Sequence, residues 1–544
     1  MPAASPRIHV IAAESMQPAQ PMPPAGVKAE PIPAPKDATT AGEGVQSGGE
    51  AKAEKCKPFW TTVPHLSPKP RVGMFPIPPS GPGYYTLEDC LTGNERQAPP
   101  KYPWGPLISP CFFPFYDNDF RYLDDPKNKQ FDWLDPIKRI HCGDDWLLSI
   151  GGEERVRYMY EINSRLTGKF NDYTLLRSRV YGDLWYKDWF RVYVEFLDAQ
   201  SFGQDLPPLA IDIDRTDLLN AFVDLKIGEW DNQPIYARIG RQELYYGSQR
   251  LISPLDWANT RRTFEGAKVF WHSEKLDIDA FWVRPVQVFQ NRFDAADANR
   301  QVAGAWATYR PDEHKTLDLY YLYLDTDLPL RKPLPPDGRG GQNVNTFGAR
   351  YVGDMDKKLL WDFEGAWQFG DRVENSISAG MATTGLGYHC GDMPLNPTLW
   401  LYYDFASGSD GVFRGETFNQ LFPFGHFYFG FIDDVARQNI HDLNSELFIY
   451  PAKWITTGLQ SHLFYLANAR DALYSAGGAV ERSAPKGNAG KYVGEELDFT
   501  TNFHLNFHQD ILVGYSILFP GEFIRKTGSP TTPQLFYLQY SYKW

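Results

Sequence analysis

Residues 175–186 read LLRSRVYGDLWY, and the placing of charge within them decides the fold. Leu176, Val180, Leu184 and Tyr186 fall on one parity; Arg177, Arg179, Asp183 and Trp185 fall on the other. A period of two belongs to a β-strand, whose successive side chains point to opposite faces. The flanking segments repeat the pattern. In EERVRYMYEI (153–162), Glu154, Val156, Tyr158, Tyr160 and Ile162 share one face, and Glu153, Arg155, Arg157 and Glu161 share the other. In FRVYVEFLDA (190–199), Phe190, Val192, Val194 and Phe196 oppose Arg191, Tyr193 and Glu195. From about residue 146 to the last residue this texture persists, broken by clusters of Gly, Asp, Asn and Pro.

A strand with one apolar and one charged face fits either a soluble sandwich or a membrane barrel. The ends of the strands favour the barrel. Aromatics close the apolar faces of LWLYYDF, HFYFGF and SHLFYLA, where interfacial girdles sit. In LFYLQYSYKW, Phe536, Leu538, Tyr540, Tyr542 and Trp544 alternate up to an aromatic last residue, a mark of bacterial outer-membrane barrels. No apolar run approaches the roughly 18 residues of a membrane helix. Mean hydropathy is −0.44, as alternating strands require. An arginine facing lipid at the midplane of a barrel costs about 2–4 kcal/mol, so Arg177 and Arg179 are expected to point inward into a wet lumen. The residues after about 130 suffice for roughly 16 to 18 strands, wide enough to enclose a channel. The expected fold is therefore an all-β, transmembrane, antiparallel β-barrel over residues 131–544.

Residues 1–55, rich in Pro, Ala and Gly, read as a disordered arm. Residues 56–130 stay Pro-rich but add aromatics, as in KYPWGPLISPCFFPFY, and read as an irregular periplasmic segment with enough apolar surface to dock at the barrel mouth or on a partner. The first 26 residues carry no usable signal peptide, their one apolar run, IHVIAA, being short. Cys56, Cys90 and Cys111 could pair in an oxidising compartment, but five scattered cysteines make no disulfide framework or zinc ribbon. A formal charge of −13 and the lack of a basic stripe argue against nucleic acid.

One stretch is more specific. ARIGRQELYYGSQRLISPLDWANTRRTFEGAKV (237–269) resembles the strand–loop–strand signature of the alginate-export family of outer-membrane barrels. YYDFASGSDG (402–411), TFNQLFPFGHFYFGFIDDVARQNIHDLN (417–444), YVGEELDF (492–499) and the final FYLQYSYKW are similar to other family segments in the family's order. The resemblance covers about residues 120–544 and implies an 18-stranded outer-membrane barrel whose arginine-lined pore passes an anionic polysaccharide, alginate-like, or a smaller anionic solute. It places the GRQ arginine of the signature at Arg241. Alternation supplies the other lumen candidates: Arg155, Arg157, Arg177, Arg179, Arg191, Arg238 and Arg350. Arg250, Arg261 and Arg262 complete the set within the signature loop. With Arg241 they have two readings, as ion pairs with Glu243, Asp256 and Glu265 that hold a folded-in loop, or as a positive constriction.

A permanently charged, planar fork suits the carboxylates of a uronate polymer, and conduction needs many weak sites rather than one tight one. Glu153, Asp183, Glu195, Asp224 and Glu243 would offset the attraction. The overall negative charge does not bar an anion path, because the Debye length is about 8 Å at physiological salt. The expected partners are the anionic solute, outer-membrane lipid and periplasmic export proteins. Neither cofactor, metal nor catalytic residue is expected. HLNFHQD (504–510) reads as a strand, which sets His504 and His508 about 13 Å apart, too far for one metal. No nucleophile elbow, HExxH or P-loop occurs. The alternatives are a general porin without anion preference and a soluble carbohydrate-binding β protein.

Overall fold

The computed structural model describes Val63 and residues 75–100, 114–128, 132–327, 341–373, 375–412 and 414–544. The expected disordered arm, together with Cys56 and Cys111, lies outside them. Eighteen antiparallel strands close a barrel. They are β1 (Trp146–Ser164), β2 (Lys169–Tyr186), β3 (Phe190–Phe202), β4 (Asp214–Trp230), β5 (Gln233–Gln242) and β6 (Phe264–His272). β7 (Leu276–Gln287), β8 (Arg300–Asp312), β9 (Lys315–Thr326), β10 (Gln342–Met355), β11 (Leu359–Arg372) and β12 (Asn375–His389) continue it. β13 (Thr398–Ala406), β14 (Ile440–Ala452), β15 (Ile455–Leu466), β16 (Tyr492–His504), β17 (Gln509–Pro520) and β18 (Gln534–Lys543) complete it. The seam is β1 against β18, in register from Glu153 opposite Lys543 to Ile162 opposite Gln534. Beyond β18 the backbone of Trp544 exchanges bonds with Gly152 at 2.7 and 3.0 Å. A side chain at position 152 would run into the Trp544 ring, so the seam needs glycine there.

The alternation read from the sequence is realised with its faces inverted relative to a soluble protein. Phe196 is 53% exposed and Arg179 1% exposed. Val156, Val180, Ile239, Leu319, Leu401 and Leu497 are likewise exposed around the outside. An apolar belt outside and buried charge inside suit a bilayer, not water. The soluble reading is thereby replaced.

One end of the barrel is closed by tight turns. Asp231 and Asn232 both take positive φ, 49° and 56°, the conformation that two-residue hairpins demand and that Asn and Asp tolerate. Asp356 and Lys357 repeat it at 53° and 57°. The other end carries longer connections at 203–213, 243–263, 288–299, 407–439 and 467–491. Short turns on the periplasmic side and long loops outside are the usual polarity of outer-membrane barrels. HLNFHQD proves to be a turn rather than a strand: β16 stops at His504 and β17 starts at Gln509. His508 instead contacts the Lys543 carbonyl at 2.6 Å and Asp132 at 2.8 Å.

Candidate functional site

Two long connections do not stand out into solvent but fold into the barrel. Residues 243–263 and 407–439 are buried along most of their length. They are bonded to each other: Phe422 N donates to Leu251 O at 2.8 Å and Phe424 N to Gln249 O at 2.9 Å. Tyr428 donates its hydroxyl to Ser248 O at 2.6 Å, and the Trp257 and His426 rings stack at 3.7 Å.

The first inward loop meets a wall of arginines. Arg155 and Arg177 stand directly opposite on β1 and β2, a like-charge pair that is unfavourable alone. Glu153 and the loop resolve the conflict. Arg177 binds Glu153 at 2.7 Å and Asp256 at 3.0 Å. Loop carbonyls take further protons: Arg155 donates to Asp256 O at 2.9 Å, Arg157 to Trp257 O at 2.8 Å, and Arg177 to Asp256 O at 3.1 Å and Ala258 O at 3.2 Å. The Arg157 guanidinium also lies 3.6 Å from the Trp257 ring centroid. Asn259 ties the loop to the wall by donating to Leu176 O and Asp212 O, each at 3.0 Å.

Farther along the same wall the arginines pair with carboxylates across neighbouring strands. Arg179 binds Glu195 at 2.7 Å. Arg191 grips Asp183 through two bonds of 2.7 and 2.8 Å, and Arg238 grips Asp224 at 2.7 and 2.9 Å. In the loop, Arg261 binds Glu243 and Asp256. Arg250 crosses the lumen to Asp362 at 2.6 Å and Glu364 at 2.9 Å, and Arg350 meets the same Asp362 at 2.9 Å. All nine of these arginines are buried. Arg262, half-buried, donates to Pro423 O in the second inward loop at 3.1 Å. Arg241 stands apart at the long-loop end of β5, bound to Glu265 at 2.7 Å and Asp217 at 3.3 Å.

From the short-turn end the Pro–aromatic segment reaches the same wall. Tyr116 donates to Glu243 O at 2.7 Å and accepts at its carbonyl from Arg191 at 2.7 Å. Phe115 lies under the Arg179 guanidinium at 3.9 Å. Near the opposite strands, Trp400 donates to Phe75 O at 3.0 Å, and Lys453 to the carbonyls of Ser80, Gly81 and Pro82 at 2.7–2.8 Å.

The other half of the inner face is acidic, a feature the reading of arginines passed over. Asp404 of β13, Asp442 and Glu446 of β14, and Glu496 and Asp498 of β16 are all buried. Among the described residues their basic partners are few: Arg437 on Asp404 at 2.6 Å, and the His462 imidazole between Asp442 at 2.7 Å and Asp498 at 3.9 Å. Here the second inward loop presents N–H groups. Ile432 N donates to Glu496 at 2.9 Å and Phe431 N to Asp498 at 3.3 Å. Glu446 Oε2 and Asp404 Oδ2 remain buried without a donor. The signal was present in the sequence: Asp442, Asn444 and Glu446 share one parity, as do Glu496 and Asp498.

A family model described as alginate export matches residues 146–538. No curated protein matches the chain. Among solved structures the chain is similar to Pseudomonas aeruginosa OccD3 (OpdP), with 11% identity, a TM-score of 0.49, and coverage of 73% of this chain and 91% of that one. It is similar to Pseudomonas aeruginosa OprD, with 10% identity, a TM-score of 0.49, and coverage of 73% and 93%. It is also similar to Pseudomonas aeruginosa OpdK solved with vanillate, with 11% identity, a TM-score of 0.49, and coverage of 73% and 98%.

Proposed function

The chain belongs to the alginate-export family and forms a channel of the bacterial outer membrane, and from that premise we propose that it passes an anionic polysaccharide or a smaller anionic solute along its inner arginines. The observation that carries this reading is the use the arginine wall makes of the inward loop. Carbonyls of Asp256, Trp257 and Ala258 occupy the guanidiniums of Arg155, Arg157 and Arg177. Each carbonyl stands where a carboxylate oxygen of the cargo would stand once the loop withdraws. Arg179, Arg191, Arg238, Arg250, Arg261 and Arg350 extend the ladder, with their carboxylate partners keeping each site weak, and Arg262 joins it through its bond to the Pro423 carbonyl. Arg241 acts at the rim. The aromatic segment at the short-turn end is the face such a channel turns to a periplasmic export partner.

The acidic wall favours a second reading, a general porin without anion preference. Reversal potentials in planar bilayers under a KCl gradient separate the two. A barrel with residues 251–260 replaced by a short Gly/Ser linker is expected to conduct with anion preference, and Arg155→Ala together with Arg157→Ala is expected to abolish that preference. Conductance of the shortened barrel without anion preference would leave the porin reading in place.

A further inference from the structure

Asp214 opens β4, Asp217 follows three residues later, and Asp294 lies in the connection 288–299 between β7 and β8. On an unbroken strand, residues three apart face opposite sides. Here the alternation is broken: Thr216 takes a φ of 53°, and the pairing of β3 with β4 shifts register on either side of Leu197. As a result, carboxylate oxygens of Asp214, Asp217 and Asp294 lie within 4.8 Å of one another. Asp214 is 4% and Asp217 3% exposed.

The three acids are unequally served. Asp217 accepts from Leu218 N at 2.5 Å, from Arg241 at 3.3 Å and from Asp294 N. Asp294 accepts from Phe289 N at 2.7 Å. Asp214 Oδ1 is buried and accepts no hydrogen bond. A buried carboxylate oxygen that no donor serves, set beside two further carboxylates, leaves a pocket of oxygen donors, and its neighbouring cation, Arg241, is already shared with Glu265 at 2.7 Å.

We propose that Asp214, Asp217 and Asp294 form an oxygen-donor site for a hard divalent cation of the calcium class, which pins the connection 288–299 to the long-loop rim of the barrel. The donor set is all carboxylate, with no nitrogen or sulfur ligand, as calcium prefers. Its three groups leave coordination positions for water, which calcium's flexible geometry accommodates better than magnesium's strict octahedron. The site lies at the long-loop rim beside Arg241, and its test reads cation binding rather than conduction.

The test uses full-length protein folded in detergent micelles, stripped with EDTA and titrated with calcium by calorimetry, with terbium luminescence as a second probe. One calcium per chain is expected, with protection of residues 288–299 from protease on calcium addition. Asp214→Asn is expected to weaken binding about tenfold or more while the barrel keeps its heat-modifiable gel shift. Asp294→Asn, on a loop, serves as the second variant if Asp214→Asn does not fold. Absence of saturable binding by folded wild-type protein overturns the proposal, as does binding unchanged in either folded variant. Stabilisation of Asp214→Asn by loss of a shared proton, with no calcium dependence in the wild type, also overturns it.

Discussion

The two halves of the inner face solve opposite electrostatic problems with the same material. Along β1 to β5 the cations are on the wall, and the inward loop turns carbonyls toward them, as Asp256, Trp257 and Ala258 do toward Arg155, Arg157 and Arg177. Along β13 to β16 the anions are on the wall, and the inward loop turns N–H groups toward them, as Phe431 and Ile432 do toward Asp498 and Glu496. The basic half is charge-paired by carboxylates: Arg179, Arg191 and Arg238 each have a partner within 2.7 Å, although guanidinium nitrogens such as Arg155 Nε stay without an acceptor among the described residues. The acidic half has fewer cations to pair with, and Glu446 Oε2 and Asp404 Oδ2 have no donor among the described residues. A backbone can serve either sign, but an isolated carboxylate oxygen without an N–H or a cation stays costly.

The difference can be broken by substitutions of opposite sign. Arg250→Met should have the largest effect, because it leaves Asp362 and Glu364 with Arg350 alone, at 2.9 and 4.0 Å. Removing one partner of a buried ion pair costs about 3–5 kcal/mol, to be read as a fall in the urea midpoint of protein folded into lipid vesicles. A loss under about 1 kcal/mol would mean the basic half is no better neutralised than the acidic half. Glu446→Gln should move the other way, stabilising by about 1–3 kcal/mol, since it replaces a carboxyl group whose buried Oε2 no donor serves among the described residues. A destabilised Glu446→Gln barrel would show that this carboxylate has a partner in the working state.

The smallest effect concerns Lys138, a cation of the basic half held by a carbonyl and two rings rather than a carboxylate. It donates to Ile150 O at 2.5 Å and lies 5.1 and 5.4 Å from the Phe120 and Tyr181 rings. Burial lowers its ammonium to about 7, against the pull of Asp132 and Asp135. Between that value and the ordinary lysine value near 10.4, the unfolded segment binds more protons than the docked one. Docking therefore strengthens as pH rises through this window and weakens as it falls. Proteolysis within residues 114–142 should slow between pH 7 and pH 9.5, and Lys138→Met should flatten that dependence.

The barrel was legible where charge and apolar side chains alternate strictly, as in β1, β2 and β3. It was not legible where alternation runs on into a turn, as at His504 to His508, because a hairpin of mixed residues keeps the same parity as the strands it joins. Within the signature loop, the neighbours of Arg261 could be named from sequence, since Glu243 and Asp256 lie close along the chain. The partners of Arg250 could not. Asp362 and Glu364 are more than a hundred residues away, and only closure of the sheet brings β11 across from the loop. The reach of Tyr116 into the arginine wall was hidden for the same reason, with 127 residues between its hydroxyl and Glu243 O.

The bonds between the two inward loops carry a further consequence. Ile252 and Phe422 form a parallel bridge, so loops that left the walls together would keep the contacts they share. On the proposed reading that body, fixed to the barrel at every end, would act as an internal competitor for its own channel, at the effective concentration set by short tethers, roughly millimolar or above. A solute with one carboxylate would then have to displace it site by site. A polymer with a carboxylate on every unit presents many at once, and on the proposed reading the channel would then discriminate by chain length as much as by charge.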